Sequence, residues 1–357
     1  MTMALRPSAA ATPVPATAGE HGTRRLRLLG AAALALPVLL LVSSCSLLNG
    51  SSSSSSSGST TSAGPVEHPN LTVGALAVTD SVPLEIALQK GYFRQEGLNV
   101  KIKIIVSGTQ AVPEVNAGTE DIGQSNWATL FAAQAKHVNN FKIVADSSEG
   151  QSGTMSLTTF PGSGIKTVQD LIGKTISTNA QSDLPYLALK AILKANSVDI
   201  NAMKVVVVHH PDTEQALTNH TVDAAIQLEP FKTLTAEKIG ARPVVDLFGA
   251  GPAANLPIAG FFVTSKFAAA NPKTIAAFAR AIEKGAADAT NRKLVEQTIP
   301  TFTTIDKQTA SLLDLPLYPT SLDAKRLQRV ADLMQQFGLL QNHLDVSTMV
   351  VTSPPAS

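Results

Sequence analysis

Cys45 is the only cysteine among 357 residues, so no disulfide can form within the chain and no Cys-x-x-Cys metal or redox site exists. No His-x-x-x-His spacing replaces it, and neither a Gly-x-Ser-x-Gly elbow nor a glycine-rich phosphate loop is present. The adjacent His209-His210 pair follows an apolar run, and neighbours on an extended chain point to opposite faces, which argues against one shared metal ion. Charge is also scarce, at 15% of residues, with 28 Lys and Arg against 27 Asp and Glu. Arg6, Arg24, Arg25 and Arg27 precede residue 45 with one acid, Glu20, so residues 45–357 carry 24 basic and 26 acidic side chains. A near-neutral domain lacks the basic surface that neutralises phosphates, so no nucleic-acid partner is expected. Nothing in the composition calls for a cofactor or a metal.

What the sequence does have begins at its amino-terminal end. After Arg24, Arg25 and Arg27 comes an apolar run, Leu28 to Val42, of about 15 residues, which is signal-peptide anatomy and short for a membrane span. Val42-Ser43-Ser44-Cys45 closes it and resembles a lipobox, predicting cleavage of residues 1–44 and lipidation of Cys45. An uncleaved anchor is the other reading. Thr23-Arg24-Arg25 is similar to a twin-arginine signal, but Arg27 stands where a hydrophobic residue is expected, so the export route stays open. Residues 45–68 then read as the lipidated cysteine and a tether. Ser51 to Ser57 are seven consecutive serines, and the segment has too little apolar surface to offset ordering entropy. As a flexible coil, Ser46 to His68 would reach on the order of 25–30 Å.

From Leu71 the pattern is strand–helix–strand. Leu71 to Val78 is a strand; Asp80 or Ser81 caps a helix with Pro83 in its first turn; Gly91 ends it, and Val100, Ile102, Ile104 and Val106 alternate as a second strand. Ser107-Gly108-Thr109 opens a helix that stops at Gly118. Asp121-Ile122-Gly123 is a short strand ending at Gln124-Ser125-Asn126, and Trp127 starts the next helix. Further strands are expected at 141–145, 155–159, 174–178, 205–208, 224–228 and 244–245, with helices at 182–195 and 213–219. Pro257 to Val263 is an apolar strand leading to Asn271-Pro272, a helix cap with proline in the first helical position. Leu327, Val330, Met334 and Phe337 make one helix stripe. Strands alternating with helices imply an α/β chain with mainly parallel sheets covered on both faces.

Several segments fall in an order that belongs to a known family: Lys90-Gly91-Tyr92-Phe93 with Glu96-Gly97-Leu98, Ala117-Gly118 with Asp121-Ile122-Gly123, Lys142-Ile143-Val144-Ala145, Val168 to Lys174, and Val222-Asp223-Ala224-Ala225 before Glu229-Pro230. Over about residues 70–350 the chain resembles solute-binding lipoproteins of the nitrate/sulfonate/taurine type, the receptors of ABC importers. The resemblance implies a type II periplasmic-binding fold: two lobes, each a mainly parallel sheet flanked by helices, joined by two hinge crossovers. Lobe 1 is then 69–155 plus 258–357, and lobe 2 is 156–257. It also implies a small-molecule ligand, a permease with a cytoplasmic ATPase as partner, a place at the outer face of the cytoplasmic membrane, a monomer, and no catalysis. A tethered ligand sensor would use the same cleft. Thiamine-precursor synthases share the fold, but their cysteine-rich signature is missing.

In open parallel sheets, ligands collect beyond the carboxyl ends of strands, where helix amino termini present free N–H groups. That rule selects Asp80 and Ser81; Gly108 and Thr109; Ser125, Asn126 and Trp127; Gln181, Ser182 and Asp183; and Glu229. Each has a second reading. Ser81, Thr109, Ser125 and Ser182 can be helix caps, Trp127 can be core, and Glu229 can serve only to start the helix after it. The loops contain Asp80, Asp183 and Glu229 but no Lys or Arg, which favours a zwitterion or nitrogen-bearing solute over a lone anion.

Overall fold

The computed structural model describes residues 65–351. The expected signal peptide, Cys45 and the serine tract lie outside the described residues.

The chain lays down β1 (Asn70–Leu76), β2 (Asn99–Ile105), β3 (Ile122–Asn126) and β4 (Phe141–Glu149), then β5 (Met155–Thr159), β6 (Thr175–Thr178), β7 (Lys204–Val207), β8 (Ala224–Leu228) and β9 (Arg242–Asp246), and finally β10 (Pro257–Thr264). They form two five-stranded sheets, ordered β2-β1-β3-β10-β4 and β7-β6-β8-β5-β9. In the first, β1 pairs in parallel with β2 and β3, and only β10 runs antiparallel, against β3 and β4. In the second, β6 pairs in parallel with β7 and β8, and only β5 is reversed, against β8 and β9. The reversed strand of each sheet is the one by which the chain arrives from the other sheet.

The connections between β4 and β5 and between β9 and β10 are therefore the two passages between the lobes. They run side by side, since Gly150 N–H donates to Leu256 C=O at 2.9 Å. β10 is buried along all but its last residue, as a strand covered on both faces must be. It contains Gly260, where a Cβ would lie 2.3 Å from Trp127 Cζ2 and 2.4 Å from the Ala145 carbonyl oxygen. Glycine is needed there because an indole ring lies directly against the strand.

Local capping accounts for where the elements begin. The helix expected from Ser182 starts at Leu184, because the Asp183 carboxylate accepts the Tyr186 N–H at 3.0 Å and Pro185 occupies its first turn. Helix Pro272–Asp288 receives no side-chain bond from Asn271; the Glu67 carboxylate accepts the N–H groups of Lys273 (3.2 Å) and Thr274 (2.9 Å) instead. Val66 also packs on the first sheet's core. The end of the expected tether thus belongs to the folded body. In helix Ala324–Gln336, Leu327, Val330 and Met334 are buried while Phe337 is half-buried beneath the Lys194 ammonium. This helix packs on helix Trp127–Ala135 and on helix Leu184–Ala195, touching both lobes.

Candidate functional site

The carboxyl ends of β1, β2 and β3 in one lobe face those of β6, β7 and β8 in the other across a small cavity of about 40 Å³. That is room for a few waters, so a solute can enter only if the lobes part. From the first lobe it is lined by Leu76, Val78, Asp80, Gly108, Gln124, Ser125 and Asn126, with Ile258 and Ala259 of β10; from the second by Met155, Asn179, Asp183, Pro185, His210 and Leu228.

Asn126 joins the two sides. Its Oδ1 accepts from Thr129 N at 3.0 Å, capping its own helix, and from Leu184 N at 3.2 Å, capping the first turn of the opposing lobe's helix. Two helix amino termini therefore meet at the cavity rim. Ser125 is buried behind the entry to helix Gly108–Ala117, its hydroxyl donating to Gly108 C=O at 3.3 Å. A Cβ on Gly108 would come 2.5 Å from Ser125 Oγ, so the loop lies this close to β3 only because it has no side chain there.

Gln124 has a fixed orientation. The Leu76 N–H can only donate, and its bond of 3.0 Å to Oε1 assigns that atom; Ser81 Oγ lies 2.8 Å from the same oxygen. The buried Nε2 is left without a partner. His210 is 6% exposed, stacks on Phe231, and has an unpartnered Nδ1. Burial, with some help from His209, pushes its pKa down to about 3, so the ring is neutral at physiological pH. Asp80 is 7% exposed; burial raises its pKa to about 6, the Ser148 hydroxyl pulling the other way. Asp183 is raised to about 7 by burial, against the N–H groups of Tyr186 and Ala180 and the Thr178 hydroxyl. It is occupied as a cap, whereas the Ser148 hydroxyl near Asp80 is left without a hydrogen-bond partner.

Of the residues selected from the sequence, the structure brings Asp80, Gly108, Ser125, Asn126 and Asp183 to the cavity wall. Ser81 is buried one layer behind it, bonded to Leu76 C=O at 2.6 Å. Thr109 and Gln181 are exposed and Ser182 is half-exposed, and none of the three lines the cavity. Trp127 is 0% exposed and stacks on Phe131 inside the core. Glu229, also 0% exposed, accepts from Thr233 N (3.1 Å), Thr233 Oγ1 (2.9 Å) and Asp314 N (3.2 Å), and pairs with Lys232 at 3.1 Å. Its carboxylate is used up in holding the start of helix Phe231–Ile239 to the 314 segment. Asn179, which opens the loop after β6 that the strand-end rule selects, also lines the cavity, and so does His210, which the sequence offered only as an unsupported metal ligand. His210 follows β7, so the rule that selects the loops after β1, β2, β3, β6 and β8 covers it too, and what argues against a shared metal ion does not bear on a neutral ring at the cavity wall. Among the described residues no cluster of His, Cys, Asp and Glu could hold a metal ion.

Sequence comparison gives the lineage. The model of the NMT1/THI5-like family matches residues 78–293, and the chain belongs to that family. A protein of Brachyspira hyodysenteriae, named as an ABC transporter periplasmic binding protein, is 28% identical over 193 residues, which are 50% of this chain and 54% of the relative. The chain thus spans about half the length of that curated relative. The MOPS-bound alkanesulfonate-binding protein of Xanthomonas axonopodis pv. citri superposes with a TM-score of 0.67 at 17% identity, covering 79% of this chain and 98% of its own. The periplasmic nitrate-binding protein of Synechocystis gives 0.68 at 13% identity, over 80% and 87%. At these identities the likeness is one of fold: the two-lobed architecture of periplasmic binding proteins, as the sequence resemblance implied.

Proposed function

We propose that this protein is the extracytoplasmic substrate-binding receptor of an ABC importer. It captures a small organic solute, sulfonate-like or nitrogen-bearing, between two closing lobes and delivers it to a permease with a cytoplasmic ATPase. The observation that carries the reading is the convergence of both lobes' strand ends, with helix amino termini and unpartnered polar atoms, on one cavity too small to admit a solute unless the lobes open. A ligand that contacts both lobes favours the closed state by its differential affinity, and no covalent step is needed. The relatives named above are binding proteins. A tethered sensor would close in the same way, and neighbouring genes for a permease and an ATPase would separate the two roles.

The test is a thermal-shift screen of the exported protein against taurine, alkylsulfonates, nitrate, pyrimidines and amino acids, followed by solution scattering with any hit. A true ligand raises the unfolding midpoint by mass action and lowers the radius of gyration. A hit that leaves the scattering curve unchanged, with the free protein shown to be open, would sink the two-lobed clamp.

Placement completes the proposal: cleavage after Ser44, lipid on Cys45, and a monomeric domain carried on the serine tether at the outer face of the cytoplasmic membrane. Its basis is the arginine-led apolar run ending in Val42-Ser43-Ser44-Cys45. Metabolic labelling with a fatty acid should mark the wild type and not Cys45→Ala. Label on both, or on neither, would remove the lipoprotein assignment.

A further inference from the structure

We infer that the cavity selects a solute through a nitrogen-borne hydrogen-bond donor shared between Asp80 of the first lobe and His210 of the second, and that it discriminates against nitrate and simple sulfonates. The inference rests on the receptor reading above and names the chemistry of its ligand.

Three observations support it. No Lys or Arg lines the cavity among the described residues, so an oxyanion would meet no cation there. Two cations that stand near the hinge are already engaged: Lys232 by Glu229 and by Asp314 (2.6 Å), and Arg326 by Asp146 (2.6 Å) and Glu149 (3.4 Å). The second observation is the pair of acceptors. Asp80 presents a carboxylate at the wall that the nearby Ser148 hydroxyl does not hydrogen-bond, and a neutral imidazole always has one nitrogen that accepts. His210 is more than nine-tenths buried with a nitrogen unpartnered, which costs free energy until something bonds to it. The third is Gln124 Nε2, a buried donor without an acceptor in the same wall. A group carrying both N–H donors and a lone pair, such as an amide, amidine or amino-substituted ring, would use all three. An oxyanion can satisfy Gln124 Nε2 and the helix amino termini, but it puts negative charge against the Asp80 carboxylate in a poorly hydrated space, where like charges repel most.

His210 also explains how the choice could be coupled to closure. Asp80 and Gln124 stand on the first lobe and His210 on the second, so a donor bridging Asp80 and His210 is fully satisfied only when the lobes meet. A ligand lacking the second N–H would bind the open form and close it poorly.

The experiment is calorimetry on the exported protein with two sets of probes: cytosine, acetamidine and ethanolamine in one, nitrate, ethanesulfonate and butanesulfonate in the other. At least one nitrogen probe should bind more tightly than every anion. For that probe Asp80→Asn should lower affinity at least about tenfold, the loss of one hydrogen bond to a charged group, and His210→Phe, which keeps a ring against Phe231, should reduce both affinity and the scattering change. The ligand-free unfolding midpoint of each variant shows whether it still folds; if His210→Phe does not, His210→Gln takes its place. An anion binding as tightly as the best nitrogen probe, no measurable binding of any nitrogen probe at millimolar concentration, or unchanged affinity in folded Asp80→Asn each overturns the inference. Closure on an anion would do so while leaving the receptor reading intact; a tight hit of any kind without closure would fail the receptor reading instead.

Discussion

Trp127→Ala should lower the free energy of unfolding by about 3–5 kcal/mol, the range for removing a fully buried large aromatic side chain. The indole is 0% exposed, stacks on Phe131 with centroids 6.3 Å apart, and fills the space that Gly260 leaves on β10. Since whole domains are stable by only about 5–15 kcal/mol, a loss of this size should bring the urea midpoint down sharply. Trp127→Phe should lose less, because a smaller ring keeps part of the packing. If Trp127→Ala instead unfolded at the wild-type midpoint and lost only ligand affinity, the side chain would be a binding surface and the packing described for β10 would be wrong. The indole Nε1 has no hydrogen-bond partner, so the ring is held by packing alone, which is why truncation should be felt in full.

The second large effect is expected at Glu229. Its buried carboxylate takes three hydrogen bonds and the Lys232 ammonium, which in turn reaches Asp314 and the Gly153 carbonyl in the first passage between the lobes. Removing one partner from a buried pair leaves the remaining groups uncompensated and costs about 3–5 kcal/mol in most proteins. Lys232 keeps Asp314, so Glu229→Ala should fall near the lower end of that range, and Glu229→Gln, which retains an acceptor oxygen, should cost less. Equilibrium unfolding of the two variants without ligand decides it. A wild-type midpoint for Glu229→Ala, together with weakened solute binding, would return Glu229 to the ligand site. The structure favours the fold role because both carboxylate oxygens already have donors from the protein itself.

These two residues mark the limit of what could be read along the chain. Both follow a strand that ends at the cleft, and both match the rule that ligand-binding residues collect there. A position after a strand still leaves open whether its side chain turns toward the cavity or into the layer behind it. Trp127 turns inward because Gly260, more than 130 positions later, leaves a space against it. Glu229 turns toward residue 314 because a backbone N–H arrives there from a segment with no regular pattern of its own. Asp80 and Asn126 satisfy the same rule and do reach the wall. The adjacency of His209 and His210 argues against a shared metal ion but has no bearing on one buried neutral ring.

By itself the sequence determined the alternation of strands and helices, the two sheets' mostly parallel character and the resemblance that implied two lobes, because hydrophobic period, caps and glycine stops act within a few residues and need no partner from elsewhere. It also determined the shortage of positive charge in the loops that matter, since charge is carried by residue type. Only the tertiary structure decided which strand in each sheet is reversed, which capping residues face the cavity, and which buried polar atoms are left without a partner there. Those outcomes depend on contacts between segments as far apart as Thr79 and Tyr318, whose hydroxyl donates to the Thr79 carbonyl at 3.2 Å. Long-range packing sets the direction of a side chain, and direction separates a helix cap from a ligand contact when the residue type permits both.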